Sequence, residues 1–227
     1  FAEYIRVPAL NVDRGTFLLP DSVSFEEGTF IEPLACVLRG QRTVNLSPGQ
    51  SVLILGSGIS GLLHLLLAQS LGAGRIVMTD INEFRLKTAK ELGADAVINA
   101  KDDVIGALRE VNEGRLADLV IVCAGASAVF SQALQAVERA GSILCFAPTA
   151  PGETLNVPVN DFWRNQIKII HSYGSGPQDN AAALELLKTK RVKVDRLITH
   201  RLKLAQIGEG FRIMTESKDS IKVIIES

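Results

Sequence analysis

The sequence predicts an α/β fold built on a doubly wound parallel sheet. Short apolar, β-rich runs alternate with helical patterns along most of the chain, and that repeated β-α-β order calls for parallel strands with helices on both faces. One apolar run, residues 52–55, ends at Gly56; glycines recur at Gly58 and Gly61, a long apolar stretch follows, and a second β-rich run over residues 75–79 ends on Asp80. The chain has 227 residues, 47% hydrophobic and 22% charged, a soluble globular composition long enough for one large domain or one and a half ordinary ones.

Taken in order, residues 4–8 alternate and predict a short strand. Residues 11–32 read as irregular, with breaks at Pro20 and Gly28, and residues 33–42 as a helix with Pro33 in its first turn. Pro48-Gly49 marks a turn in a polar connector. Residues 61–71 predict a helix that is apolar nearly all round, as expected where it packs on a sheet. Its polar member, His64, reads as a tolerated helix histidine before a ligand or proton carrier. Residues 82–92 predict an amphipathic helix stopped by Gly93, residues 96–98 a strand, and residues 102–111 a helix with acids in its first turn. Strands are predicted at 119–123, 142–146 and 167–172, and helices at 128–140 and 180–188. In the tail, residues 198–204 alternate, 205–217 read as helix and 220–226 as strand; this segment need not join the main sheet.

The glycine stretch carries the chemistry. Strand, glycine turn, helix, strand and acid together form a dinucleotide-binding βαβ unit, a Rossmann arrangement. Gly56 permits the tight turn, Gly58 lets backbone approach a pyrophosphate, and Gly61 lets the helix pack on the strand. Ile59 and Ser60 complete the first helical turn, whose N–H groups and positive dipole favour phosphate. Glycines at this spacing alone also describe an ordinary turn; the flanking strand, helix and acid decide for the nucleotide. A carboxylate at Asp80 can accept hydrogen bonds from both adenosine ribose hydroxyls and repels a 2′-phosphate, which favours NAD over NADP. Arg85 either accommodates such a phosphate, lies along the adenosine edge or stands in solvent. Ligands of such sheets bind outside the carboxyl ends of the strands, which adds Ala124, Phe146 and Pro148 to the candidate cofactor contacts. Small residues are common in such loops, so each loop taken singly admits a bland reading as well.

Charge excludes other classes. With 24 basic and 25 acidic residues, the net charge is −1 and no basic block exists, so binding to nucleic acid or an anionic membrane has no electrostatic support. No apolar run approaches the ~20 residues of a membrane span, and the N-terminus lacks the regions of a signal peptide. Cys36, Cys123 and Cys145 show no paired spacing; the latter two are expected as buried thiols, and a reducing, cytoplasmic setting fits.

The segments FAEYIRVPA, IEPLACVL, GSGISG, TDINEFRLKTAKELGADAVIN and DRLITHRLKLAQIGEGFRIMTESKDSIKVII, in this order and spacing, resemble the medium-chain dehydrogenase/reductase superfamily, in its zinc-dependent alcohol and polyol (sorbitol and threonine dehydrogenase-like) branch. The resemblance implies residues 1–33 as a remnant of a GroES-like catalytic domain, 34–172 as the NAD-binding domain, and 173–227 as the return to the catalytic domain. It implies that Glu32 lies at a catalytic zinc, although an exposed acid near a helix start is the bland alternative. Cys36 lies against the nicotinamide or simply packs. Lys222 reaches the pyrophosphate or is a solvated strand lysine. Asp80 and Arg85 match the adenosine-ribose contacts.

Catalytic zinc takes about three protein ligands plus an open position, and this chain offers one candidate. His64, His171 and His200 lack the Gly-His-Glu context of the family. The chain therefore reads as a fragment, the cofactor-binding portion of an NAD-dependent, zinc-assisted dehydrogenase of a small alcohol or polyol, inactive alone. Its rivals are a zinc-free quinone or enone reductase of the same superfamily, a non-catalytic NAD-binding module and, less favoured, a methyltransferase. A homodimer or homotetramer is expected, through the strand at 167–171 pairing with its twin, with exposed apolar surface at residues 4–10 and 198–204.

Overall fold

The computed structural model describes residues 1–226. In chain order the elements are α1 (Ala9–Gly15), α2 (Phe25–Gly28), α3 (Ile31–Thr43), β1 (Val52–Leu55), α4 (Ile59–Ser70), β2 (Ile76–Asp80), α5 (Glu83–Glu91), β3 (Ala96–Asn99), α6 (Val104–Val111), β4 (Ala117–Val122), α7 (Ser127–Ala136), β5 (Val137–Cys145), α8 (Val159–Asn165), β6 (Lys168–His171), α9 (Pro177–Lys188), β7 (Ile198–Lys203), α10 (Ile207–Glu216) and β8 (Lys222–Glu226). Two compact units result, Cys36–Gly174 and a second made of Phe1–Ala35 with the chain from Ser175 onward.

The first unit is the doubly wound sheet. Its strand order is β3-β2-β1-β4-β5-β6, every neighbouring pair parallel. β1 and β2 are buried along their whole length, as strands covered on both faces must be. On one face Leu53, Leu55, Val77, Val120, Val122 and Ile143 pack with Val104 and Leu108 of α6, Phe130 and Ala133 of α7 and Phe162 of α8. α4 is buried nearly all round, through Leu62, Leu63, His64, Leu65, Leu67 and Ala68. Local chemistry sets the helix ends. The Asn82 side chain accepts from Arg85 N–H to start α5, and that of Asp103 accepts from Gly106 N–H to start α6. Gly93, at φ +96°, turns the chain out of α5 in the left-handed region.

The second unit carries a two-stranded parallel sheet of β7 and β8 with α10 as the crossover between them. Arg201 is paired with both carboxylate oxygens of Glu26. Lys190 Nζ donates to Glu27 Oε1 at 2.6 Å and to the Ser22 carbonyl at 2.8 Å. Tyr4, Ile5, Leu10, Leu18 and Phe25 are exposed large apolar side chains here, whereas Ile198, Leu202 and Leu204 are half-buried.

The elements differ from the sequence reading in five places. Residues 4–8 form no strand: among the described residues their backbone has no ladder partner, and every side chain is exposed, so alternation is not enough to make them one. The supposedly irregular stretch 11–32 contains most of α1 and all of α2, the latter fixed by a capping box between Ser24 and Glu27. The helix expected over 128–140 stops at Ala136, because Val137 pairs with Ala117 of β4 and, past an irregularity, Ser142 to Cys145 pair with Leu119 to Val122. α6 has no acid in its first turn; Asp103 sits before it as the cap. The short helix α8, between Pro158 and the left-handed Gln166, was not foreseen. Cys145 is buried, as expected, but Cys123 is only partly so.

Candidate dinucleotide site

β1 delivers the chain to Gly56, whose φ of +105° is one that side-chain-bearing residues rarely adopt. Its N–H bonds the Thr79 carbonyl at 2.9 Å, so the turn is tied to β2. A Cβ on Gly61 would overlap the Gly56 carbonyl oxygen. Helix α4 can therefore start directly against the end of β1 only with glycine at this position. Gly58 is the N-cap, in extended conformation, and Ile59, Ser60 and Gly61 form the first turn. The N–H groups of such a turn have no partner within their own helix and are free to meet an anion.

Asp80 ends β2 and is 8% exposed. Its Oδ2 accepts from Ser57 N–H at 2.8 Å and its Oδ1 from Asn82 N–H at 2.9 Å. A carboxylate offers about four lone-pair positions, so both oxygens keep capacity for ribose hydroxyls. The Arg85 guanidinium lies beside Gly58, with Nη1 at 3.9 Å from where a Cβ would stand. Its Nε is buried and has no hydrogen-bond partner among the described residues, a donor in need of an acceptor. The site residues Gly56, Gly58, Ile59, Ser60, Gly61, Asp80 and Arg85 are thus brought together at the carboxyl ends of β1 and β2.

Ala124 follows β4 beside them: a Cβ on Gly56 would stand 3.3 Å from that of Ala124. Next along the sheet, Phe146 and Pro148 follow β5. Gly125 lies so close to the Pro148 carbonyl that a Cβ there would overlap it, and Ser127 Oγ donates to Glu153 Oε2 at 2.6 Å. The loop after β5 is fastened in this way to the start of α7. It borders a cavity of about 710 Å3 lined by Phe130, Cys145, Phe146, Leu155, Ser172 and Tyr173, among others. Burial pushes the Cys123 and Cys145 thiols up from the ordinary cysteine range, which suits packing rather than nucleophilic work.

Glu32 and Lys222 belong to the second unit. Lys222 Nζ donates to the Thr29 carbonyl at 3.1 Å and sits 4.6 Å from the Phe30 ring centroid. Burial lowers its pKa, while the charge of Glu32 acts in the opposite direction. Cys36, the other residue with two readings, is partly buried on α3. Among the described residues no three His, Cys, Asp or Glu side chains are grouped as a metal site requires.

Sequence reasoning missed two contacts. Ser57 serves through its backbone N–H, which no side-chain pattern reveals. Gln41 holds His64, and the two lie 23 positions apart on different helices.

Residues 60–189 match the zinc-binding dehydrogenase family. The sorbitol dehydrogenase of Gallus gallus is 32% identical over 216 residues, covering 92% of this chain and 59% of that protein. The L-idonate 5-dehydrogenase of Vitis vinifera is 34% identical over 218 residues, covering 92% of this chain and 58% of the relative. Among solved structures, a putative zinc-binding dehydrogenase from Sinorhizobium meliloti 1021, bound to NADP, superposes with a TM-score of 0.86 at 26% identity, over 93% of this chain and 62% of that one. The chain spans about three fifths of the length of the curated relatives it matches.

Proposed function

Since this chain belongs to the zinc-binding dehydrogenase family, we propose that it is the cofactor-binding portion of an NAD-dependent, zinc-assisted dehydrogenase of a small alcohol or polyol. The observation that supports this best is the joint placement of the uncapped start of α4 and the Asp80 carboxylate, bridged by Ser57 N–H. The residues fit a dinucleotide: there is room at Gly56, Gly58 and Gly61, an anion-seeking helix start, an acid with spare acceptor capacity and an orphaned Arg85 donor. When bound, NAD would supply the hydride acceptor. The roles of the protein are then to bind and orient. The first turn of α4 takes the pyrophosphate, Asp80 takes the adenosine ribose hydroxyls with Arg85 alongside, and Ala124, Phe146 and Pro148 border the second half of the dinucleotide. Lys222 is proposed as a pyrophosphate contact.

Zinc does not fit on these residues alone. Glu32 is the one candidate ligand, and a catalytic site takes about three. The relatives named for sorbitol and L-idonate support a polyol-like substrate class. In this reading residues 1–33 and 173–227 belong to a catalytic domain and 34–172 to the nucleotide domain. A homodimer or homotetramer is proposed through β6, an edge strand of the sheet; sedimentation of a Lys168→Pro, Ile170→Pro variant as the same oligomer as the parent would count against it. No helix is long and apolar enough to cross a membrane among the described residues; with three free cysteines, a cytoplasmic location is proposed.

Calorimetric titration with NAD and NADP tests the cofactor reading. Tighter binding of NAD is expected, with Asp80→Ala weakening it about tenfold to a hundredfold, the span of one or two charged hydrogen bonds. Absence of binding by a folded chain would defeat it.

A further inference from the structure

The core of the nucleotide-binding unit contains a polar pair that stability does not explain. His64, on α4, is fully buried, and so, to within 1%, is Gln41 on α3. Gln41 Nε2 lies 3.1 Å from His64 Nδ1 and donates to the His64 carbonyl at 2.8 Å. An amide N–H facing Nδ1 makes that nitrogen the acceptor and leaves the ring proton on Nε2. Yet His64 Nε2 and Gln41 Oε1 both lack a hydrogen-bond partner among the described residues. Unsatisfied buried polar atoms cost stability, and two apolar side chains of the same shape would avoid that cost.

What the pair does touch is Phe146. The His64 and Phe146 rings meet edge to face, with centroids 4.6 Å apart and planes at 90°, the arrangement that fixes one aromatic ring against another. Gly40, one residue before Gln41, closes the group: a Cβ there would stand 3.4 Å from Phe146 Cδ2 and 3.6 Å from His64 Cε1. Phe146 itself is half-buried, immediately after β5, on the cavity wall. The glycine turn and Asp80 fix the adenosine end of a dinucleotide over β1 and β2. Its other end must then cross the switch point and lie over β4 and β5, where Phe146 is.

We propose that His64, its ring set by Gln41, is a positioning residue that holds the Phe146 ring in place for the nicotinamide end of the dinucleotide. The inference rests on the cofactor reading above and deepens it.

ADP-ribose, which contains the adenosine half, the pyrophosphate and a ribose but no nicotinamide ring, separates the two. In the intact protein, calorimetry with NAD and with ADP-ribose is compared for the parent, Gln41→Leu/His64→Leu and Phe146→Leu, with a melting curve for each. The double variant is expected to melt no lower than the parent and to bind ADP-ribose within about twofold, while its NAD affinity falls about tenfold. Phe146→Leu should lose a similar factor, and combining all three changes should lose no more, because both act through one ring. Emission of bound NADH, which reports the surroundings of the nicotinamide, should shift in the double variant. An unchanged ratio of NAD to ADP-ribose affinity, or a double variant that melts early and weakens both ligands alike, would overturn the proposal and leave His64 a packing residue. Failure of the parent to bind either ligand would instead overturn the cofactor reading beneath it.

Discussion

The two halves of the proposed dinucleotide site are built by different means. Over β1-β2-β3 the site is made of backbone: a left-handed Gly56, a Gly61 with no room for a Cβ, and a Ser57 N–H held by Asp80. Over β4-β5-β6 it is made of side chains and a loop: Phe146 backed by His64, Gly125 under the Pro148 carbonyl, and the Ser127–Glu153 hydrogen bond. A backbone site is specified by where side chains are forbidden, and leaves a pattern in the sequence. A side-chain site is specified by which distant residues meet, and leaves almost none.

The contrast can be broken, beginning where the effect is largest. Gly61→Ala should abolish dinucleotide binding and destabilise the unit by about 3 kcal/mol, since neither β1 nor α4 can retreat without strain; NAD titration and urea unfolding would show it, and a variant with parental affinity would mean that the first half is as adaptable as the second. His64 gives the second half a comparable lever through pH. Burial lowers its pKa from 6.5 to about 3, so the unfolded chain takes up a proton that the folded one refuses. Its contribution is intact above pH 6.5 and is lost as the pH falls from there toward 3. Between pH 7 and pH 4 the parent should lose roughly 3 kcal/mol more than Gln41→Leu/His64→Leu, by the linkage of proton uptake to folding; parallel stability curves would refute this. Gly125→Ala, which meets the Pro148 carbonyl in a loop able to shift, should cost about 1 to 2 kcal/mol and open the loop to proteolysis between 147 and 155. Ser127→Ala removes one partly exposed hydrogen bond and should shift stability by less than about 1 kcal/mol; a larger loss would show the loop to be more tightly integrated than its contacts suggest.

The same contrast explains how far the sequence could be read. The glycine turn, Asp80, the Asn82 start of α5 and the Gly93 stop each express a local rule, and each lies where that rule places it. The parallel, doubly wound sheet followed from the β-α-β alternation, whereas its strand order did not. The strand expected at residues 4–8 failed because alternation describes only one side of a pairing, and no partner strand lies beside them among the described residues. The boundary between α7 and β5 failed because the residues after Ala136 suit either state until β4 captures them. Gln41 carries no local sign of its contact with His64, and α8 is short enough to be set by its position between Pro158 and Gln166 rather than by periodicity.

In the proposed site Asp80 would perform two tasks with one carboxylate: it ties down Ser57 N–H and Asn82 N–H, and it is the proposed acceptor for the ribose hydroxyls. Cofactor preference and the shape of the glycine turn are therefore not separately adjustable. A redesign toward phosphorylated nucleotides that simply deletes the acid would loosen the turn it was meant to reuse. An Asp80→Asn replacement keeps one oxygen acceptor for Ser57 while removing the negative charge, so the route to a new cofactor runs through amides before it reaches small or basic residues.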